Sequence, residues 1–339
     1  MHLLDELNEQ QRAAVTAAPG PLLIMAGPGT GKTKTLAARI AYLLDSGVPA
    51  DELVALTYTN KAAREMRERV AALIGTTKGL PIIATFHALC QRLLTEHGET
   101  GSLVSNQQRT EILKTLSRPA AFKKRTPREL ELIISTAKTA LAPPADEPLQ
   151  QLLTAYQAAL TEHGVQDFDD LLLRGLQRLS TSQVRYSHVL VDEFQDTSDL
   201  QYAILKLLSS AGHVVAIGDP RQSIYSFRGA GMAMFERFRA DFPNARTVAL
   251  AANYRSAPEI VAAANAIFPS TAPLIPQATV PGTVRALQTL NEYSEAAYII
   301  GEVEQGIGGS DMLKAGTGDA TNQPRDYAVL YRSRRAART

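Results

Sequence analysis

The sequence predicts an α/β protein built on a parallel, doubly wound sheet, with an all-helical insertion and the beginning of a second α/β domain. Three observations predict it. Strand patterns alternate with helix patterns from Leu22 onward, a glycine-rich loop joins the first strand to the first long helix, and the alternation stops between about Thr100 and Thr181 before resuming. Ligands of such a sheet gather at the carboxyl ends of its strands, so chemistry is sought in the segments that leave those ends.

Before the first strand, Leu7-Asn8-Glu9-Gln10-Gln11-Arg12-Ala13-Ala14-Val15 predicts a short helix, with Asn8 as N-cap and Gln11 at its third position. Gln11 is then a surface amide closing a capping box, or an amide that reads an adenine edge; position alone does not choose. The apolar run Leu22-Leu23-Ile24-Met25 leads into Ala26-Gly27-Pro28-Gly29-Thr30-Gly31-Lys32-Thr33, and Leu36, Ile40, Leu43 and Leu44 then mark a helix. Strand, glycine loop and helix form the context of a phosphate loop (P-loop) NTPase. Glycines let the backbone fold tightly, so that its N–H groups and the helix N-terminus surround a triphosphate. Lys32 reaches the terminal phosphates and Thr33 offers a hydroxyl to magnesium. The strict pattern begins with Gly, where this chain has Ala26.

A second strand, Leu53-Val54-Ala55-Leu56, runs into Thr57-Tyr58-Thr59-Asn60-Lys61 and a helix marked by Ala63, Met66, Val70 and Leu73. A third, Ile82-Ile83-Ala84, runs into Thr85-Phe86-His87 and another helix. Helical patterns then occupy Gln108 to Leu116, Glu129 to Leu141 and Leu149 to Leu160, and the basic run Lys123-Lys124-Arg125 reads as a solvated surface or a phosphate contact. The α/β pattern returns at His188-Val189-Leu190-Val191, which delivers Asp192 and Glu193 to a strand end: one carboxylate toward a metal, the other toward an attacking water. Val214-Val215-Ala216-Ile217 leads into Gly218-Asp219-Pro220-Arg221-Gln222-Ser223-Ile224-Tyr225-Ser226-Phe227-Arg228-Gly229. There Gln222 is an amide suited to sensing a γ-phosphate, while Tyr225 and Phe227 fit base stacking and a core equally well. Strand Thr247 to Leu250, the segment Asn253-Tyr254-Arg255-Ser256 and a helix Glu259 to Ile267 follow. Gly282 to Leu287 and Tyr327 to Tyr331 are expected as strands flanking a helix from Glu292 to Glu304.

Composition narrows the partners. The 339 residues carry 35 Lys plus Arg against 34 Asp plus Glu, a net +1, so nucleic-acid binding has to come from a local groove rather than a global basic field. The single cysteine, Cys90, falls in an apolar helix and reads as a small core residue. Neither a basic-then-apolar leader nor an apolar run of membrane-spanning length occurs, and a cytoplasmic location without membrane contact is expected.

Taken in order, these segments resemble the UvrD/Rep/PcrA group of superfamily 1 DNA helicases. The likeness covers almost the whole chain, from Leu7-Asn8-Glu9-Gln10-Gln11 to Tyr331-Arg332-Ser333, by way of the loop, Leu56 to Ala63, Ala84 to His87, Val191 to Thr197, Gly218 to Gly229 and Asn253 to Ser256. It implies a first RecA-like motor domain, called 1A, at residues 1–88 and 182–248, a helical subdomain 1B at 89–181 and part of a second RecA-like domain, 2A, at 249–339. It further implies an ATP site in which Gly27, Gly29, Thr30, Gly31, Lys32 and Thr33 hold the phosphates and Lys34 lies near the base. Gln11 would read adenine, Tyr254 would stack on it, and Thr33 and Asp192 would hold Mg2+. Glu193 would activate water, Gln222 would couple the γ-phosphate to DNA, and Arg255 would serve as an arginine finger worth about 10³ to 10⁵ in rate. Thr57, Tyr58, Asn60, Phe86, His87, Tyr225 and Phe227 would line a single-stranded DNA track, each stacked base contributing roughly 1 to 3 kcal/mol.

The implied activity is ATP-driven 3′ to 5′ movement on single-stranded DNA, acting at single-strand/duplex junctions in repair or replication. Alternatives are a module that binds ATP and single-stranded DNA without unwinding, and a motor subunit of a repair nuclease complex. Phe227 stands where the family commonly has Trp, and Lys34 where it has Arg. The family's motif with threonine, histidine and Lys-Gly-Leu-Glu, its last arginine motif and the insertion called 2B do not occur in these residues. Most of an ATP site without a complete two-domain motor is therefore expected.

Overall fold

The computed structural model describes residues 4–99, 101–116, 125–223, 231–268, 272–307 and 323–331. The chain divides into two compact units, residues 1–282 and 283–339. No helix among the described residues is long and apolar enough to cross a membrane.

In the first unit, α1 (Glu9–Val15) precedes β1 (Leu22–Ala26), α2 (Lys32–Asp45), β2 (Leu53–Thr57), α3 (Asn60–Ile74), β3 (Ile82–Thr85) and α4 (Phe86–Glu96). An excursion follows: β4 (Ser102–Leu103), α5 (Asn106–Leu116), α6 (Pro127–Thr139), α7 (Glu147–Glu162), β5 (Val165–Gln166) and α8 (Phe168–Thr181). The chain returns through β6 (Tyr186–Val191), α9 (Asp199–Leu208), β7 (Ser209–Gly218), α10 (Met232–Asp241) and β8 (Arg246–Leu250). It then adds β9 (Ala252–Asn253), α11 (Pro258–Ile267) and β10 (Ile275–Pro276). Six strands form one parallel sheet in the order β3-β2-β6-β7-β1-β8. Its register pairs Met25 with Gly218 and Val191 with Ala216, so β7 ends between the loop that leaves β1 and the carboxylates that leave β6.

Alternation along the strands builds two cores. Leu22, Ile24, Leu53, Ala55, Leu190, Val215 and Ile217 face one side, where Leu36 and Ile40 of α2 and Met66 and Val70 of α3 cover them. Leu23, Val54, Leu56, Val189, Val191, Val214 and Ala216 face the other, under residues of α4, α8, α9 and α10. Leu73, expected on the buried face of α3, is 41% exposed. Three helices not marked by the sequence pattern, α8, α9 and α10, complete the second face.

The excursion has its own core of Val104, Ile112, Leu113, Leu130, Ile134, Leu152, Tyr156 and Leu160. It departs from the all-helical expectation at its neck, where β4 and β5 pair in parallel. A two-residue pairing is too short to leave a period in the sequence; it forms because the entering and leaving chains are brought side by side. Lys138 of α6 braces the excursion against α8 through buried bonds to Asp167 at 2.8 Å and Asp170 at 2.6 Å. Helix α4 and helix α8 instead put Leu89, Cys90, Leu93, Leu172 and Leu179 into the sheet core.

The second unit contains α12 (Glu292–Gly306). The strands expected at Gly282 to Leu287 and Tyr327 to Tyr331 are not found as paired strands among the described residues. Their apolar positions have no buried face there: Leu287 is 60% and Leu330 95% exposed. Apolar spacing supplies a strand's pattern but not the neighbour that it must pair with. In the first unit, β8 pairs with β1 as far as Leu250.

Helices α4 and α8 approach closely at Gly175, where an added Cβ would collide with the Cys90 side chain and stand 2.7 Å from its Cβ. Burial pushes the Cys90 thiol up to about 12, which fits an inert core residue. Gly175→Ala is expected to cost about 1–3 kcal/mol by overpacking; an unchanged urea midpoint would show that the helices part freely. A second expectation concerns acid. Burial, with His213 and Arg39 nearby and Glu52 opposing, pushes His188 down to about 4 from 6.5. The fold favours neutral His188, so its contribution is complete above pH 6.5 and is lost as pH falls toward 4. His188→Gln is expected to show a smaller loss of stability between pH 7 and pH 4.5 than the unaltered chain, measured by urea unfolding at both values.

Candidate active site

The loop between β1 and α2 adopts its shape through two left-handed residues, Gly29 at φ 70° and Gly31 at φ 84°. Close approach adds to the demand: a Cβ on Gly29 would lie 2.6 Å from Asn253 Nδ2, and one on Gly31 2.8 Å from Gln11 Nε2. Buried Thr30 closes the turn by donating from Oγ1 to the Gly27 carbonyl at 2.8 Å. Gly31 caps α2 without a side chain, which leaves the first amides of that helix for an anion. Lys32 begins the helix and donates to the Ala26 carbonyl at 3.4 Å, with Thr33 half-buried beside it. Ala26 closes strand β1 with its methyl in the core, so its departure from the strict pattern falls on a packing position.

Two segments clasp this loop. From α1, Gln11 Nε2 donates to the Thr30 carbonyl at 3.0 Å, while its Oε1 accepts from Asn8 N at 3.2 Å. The capping box and the contact with the loop thus coexist in one side chain. From the other side, Asn253 Nδ2 donates to the Pro28 carbonyl at 2.7 Å and Tyr254 N to the Gly29 carbonyl at 2.9 Å. Asn253 Oδ1 also accepts from the amides of Arg255 and Ser256, which fixes the turn that sets Arg255 beside Gly29. The half-exposed Tyr254 accepts at Oη from Asn8 Nδ2 at 2.8 Å. Lys34 donates to the Glu6 carbonyl at 3.0 Å and pairs with its carboxylate at 3.4 Å.

At the end of β6, Asp192 is 5% exposed and accepts from Glu193 N at 3.0 Å. Burial and then the Glu193 charge push its carboxyl up to about 7; Lys32 and that hydrogen bond pull the other way. Glu193, at φ 48°, is the only non-glycine residue with positive φ among the described residues, a conformation that costs on the order of 1–3 kcal/mol. Its Oε2 accepts from Gln195 Nε2 at 2.7 Å, and Gln195 Oε1 accepts from Asp219 N at 3.0 Å. Asp219, at the end of β7, in turn holds Gln222 Nε2 at 3.0 Å and Arg221 Nε at 3.2 Å. The sequence named Glu193 and Gln222, and Asn8 as the cap of α1, but missed Gln195, Asp219 and Asn253, which orient them and the loop. All three lie inside the matched segments, but a pattern does not show which polar residues point inward.

The expected DNA residues fall into three groups. Thr57, Tyr58, Phe86 and His87 line a cleft of about 590 Å³ between the sheet edge and the excursion, which adds Arg109, Arg128, Tyr156 and Phe168. Phe86 is 4% exposed and belongs largely to the core. The His87 ring meets Phe168 edge-on at 5.7 Å, and Phe168 is 53% exposed, an aromatic that helical spacing alone did not mark. Asn60 stands exposed at the start of α3, outside that wall. Tyr225 and Phe227 lie outside the described residues.

With this geometry in view, residues 7–243 match the family described as UvrD/REP helicase N-terminal domain. The chain belongs to this helicase family. It is 36% identical to the ATP-dependent DNA helicase PcrA of Leuconostoc citreum, across 99% of the chain and 48% of that protein. It is 39% identical to DNA helicase II of Escherichia coli strain K12, across 79% of the chain and 41% of the relative. PcrA of Staphylococcus aureus strain Mu50 is 33% identical across 99% of the chain and 49% of its own length. The chain spans about half the length of the curated relatives it matches. Within this family fold, the phosphate loop and the carboxylates leave the two strands that flank β7.

The raised Asp192 carboxyl gives a stability prediction for the nucleotide-free, metal-free protein. A carboxyl raised in the fold costs stability in full above its folded value, and the cost fades as pH falls from about 7 toward the ordinary 3.8. Asp192→Asn is expected to melt higher than the unaltered chain at pH 8, with the gap closing toward pH 5; an equal or lower melting temperature at pH 8 would count against a buried, uncompensated charge.

Proposed function

We propose that the chain carries the ATP-hydrolysing site of a DNA helicase that moves 3′ to 5′ on single-stranded DNA in the cytoplasm, at junctions met in repair or replication. One observation carries the reading: the phosphate loop, the Asp192–Glu193 pair and the Asp219–Gln222 turn leave three adjacent strands at one edge of one sheet. Loop amides and Lys32 bind the triphosphate, and Gln11 and Tyr254 take the adenine. Magnesium fits this donor set. The buried Asp192 carboxylate lacks full compensation for its charge, and Thr33 adds a second hard oxygen on the adjoining helix. Among the described residues no cluster of three or more His, Cys, Asp or Glu forms a cage of its own, which matches an ion shared with substrate phosphates. When bound, the ion neutralises charge on the β- and γ-phosphates.

In the hydrolytic step Glu193 accepts a proton as water forms a bond to the γ-phosphorus and the bond to the ADP oxygen breaks. Gln222 meets the γ-phosphate, and Arg255 stabilises charge that develops there. Thr57, Tyr58, Phe86 and His87, joined by Phe168, form the described wall of the track, Asn60 extends it from the start of α3, and Tyr225 and Phe227 supply further stacking. Aromatic faces grip bases of any sequence, as a translocase requires.

Lys32→Ala is expected to abolish ATP turnover measured with Mg2+ and a single-stranded oligonucleotide while leaving the melting temperature within a few degrees. Turnover equal to that of the unaltered chain would overturn the assignment of the phosphate loop.

A further inference from the structure

Gln195 is 2% exposed, and its amide is bonded at both ends. One end donates to Glu193 Oε2 at 2.7 Å and the other accepts from Asp219 N at 3.0 Å. Its backbone carbonyl accepts from Gly231 N at 2.9 Å. One residue therefore holds the Glu193 carboxylate, the amide of Asp219 and the amide of Gly231, which caps α10. The neighbourhood is built around this amide: Gly218 admits no Cβ, because one would strike Gln195 Oε1 and come within 3.0 Å of Phe194 N. Phe194 itself is anchored among Tyr202, Phe235 and Phe238, with ring centroids 5.3–6.1 Å away. Glu193, by contrast, starts from a left-handed backbone that does not set its side chain, so its aim depends on the partner it finds.

We infer that Gln195 is a positioning residue that fixes the Glu193 carboxylate for attack by water and ties its aim to the Asp219–Gln222 turn. This rests on the hydrolytic reading of Glu193. Gln195 does not touch the nucleotide; it acts through Glu193. Removing its donor leaves the phosphate loop, Lys32 and Thr33 unchanged, so binding persists while the carboxylate is free to turn away. A misplacement of about 1 Å at such a group costs roughly 10²-fold in rate.

The test measures ATP turnover with Mg2+ and an oligo-dT strand, and affinity for a fluorescent ATP analogue. Gln195→Met keeps the length and loses both bonds. Gln195→Glu keeps the acceptor for Asp219 N and turns a repelling carboxylate oxygen toward Glu193 in place of the donor; the melting temperature of each variant separates mispositioning from a failure to fold. Each is expected to lower kcat about 10²-fold, with KM and analogue affinity within about twofold, because the phosphate contacts stay in place. In a Glu193→Gln background, Gln195→Met is expected to add little, since both changes remove the same function. Full turnover in Gln195→Glu, or losses that simply multiply in the double variant, would overturn the inference. A fall in affinity that tracks a fall in melting temperature would reduce Gln195 to a structural role and overturn it equally. Absence of turnover in the unaltered chain would instead sink the hydrolytic reading, and this inference with it.

Discussion

The phosphate loop exists in its observed shape because two of its residues have no side chain where other parts of the chain press against it. Asn253 reaches Gly29 and Gln11 reaches Gly31 at distances that no Cβ would tolerate. Each contact also satisfies a loop carbonyl, of Pro28 and of Thr30, which would otherwise stay unpaired in a partly buried turn. The loop is thus held by α1 on one side and by the segment after β8 on the other. Those segments carry Gln11, Tyr254 and Arg255, so building the loop and placing these side chains around it are one structural event.

The sheet gives this assembly its direction. With β7 between β1 and β6, whatever leaves β7 stands between the loop and the carboxylates, and Asp219 occupies that place. Its buried carboxylate holds Arg221 and Gln222 while its amide meets Gln195. A γ-phosphate in the loop would then lie within reach of groups from three strands, each fixed by hydrogen bonds made before any ligand arrives. Pre-organisation of this kind spares reorganisation at the moment of reaction.

The sequence disclosed the parts of the fold that are periodic or sterically forced. The apolar runs of β1, β2 and β6, the capping box of Asn8 and Gln11, and the glycines of the loop are local rules, and the structure shows each of them. What escaped depends on contacts distant in sequence. The β4–β5 neck joins residues more than sixty positions apart through two residues each. Helix α8 is amphipathic, but its membership of the sheet core follows from Gly175 admitting Cys90. The expected strands at residues 282–287 and 327–331 had the right apolar spacing without a pairing partner among the described residues. At the site, residue types announced the groups suited to bind and react, but not Gln195 and Asp219, whose roles lie in where their amides point.

Costs in this protein gather where its chemistry would be performed. Asp192 is buried without full charge compensation, Glu193 adopts a conformation unfavourable for a residue with a Cβ, and the Thr57 hydroxyl is buried without a hydrogen-bond partner. All three stand at the carboxyl ends of neighbouring strands β6 and β2, whose runs at residues 53–56 and 189–191 are apolar and packed. A sheet buried on both faces has stability to spare and a fixed geometry; its edge inherits the geometry. An uncompensated carboxylate, a left-handed backbone and an unpartnered hydroxyl kept together at that edge are expected of a surface shaped for a ligand rather than for its own stability. Ligand groups of opposite demand, a cation for Asp192 and a water for Glu193, would relieve the same features that destabilise the empty edge.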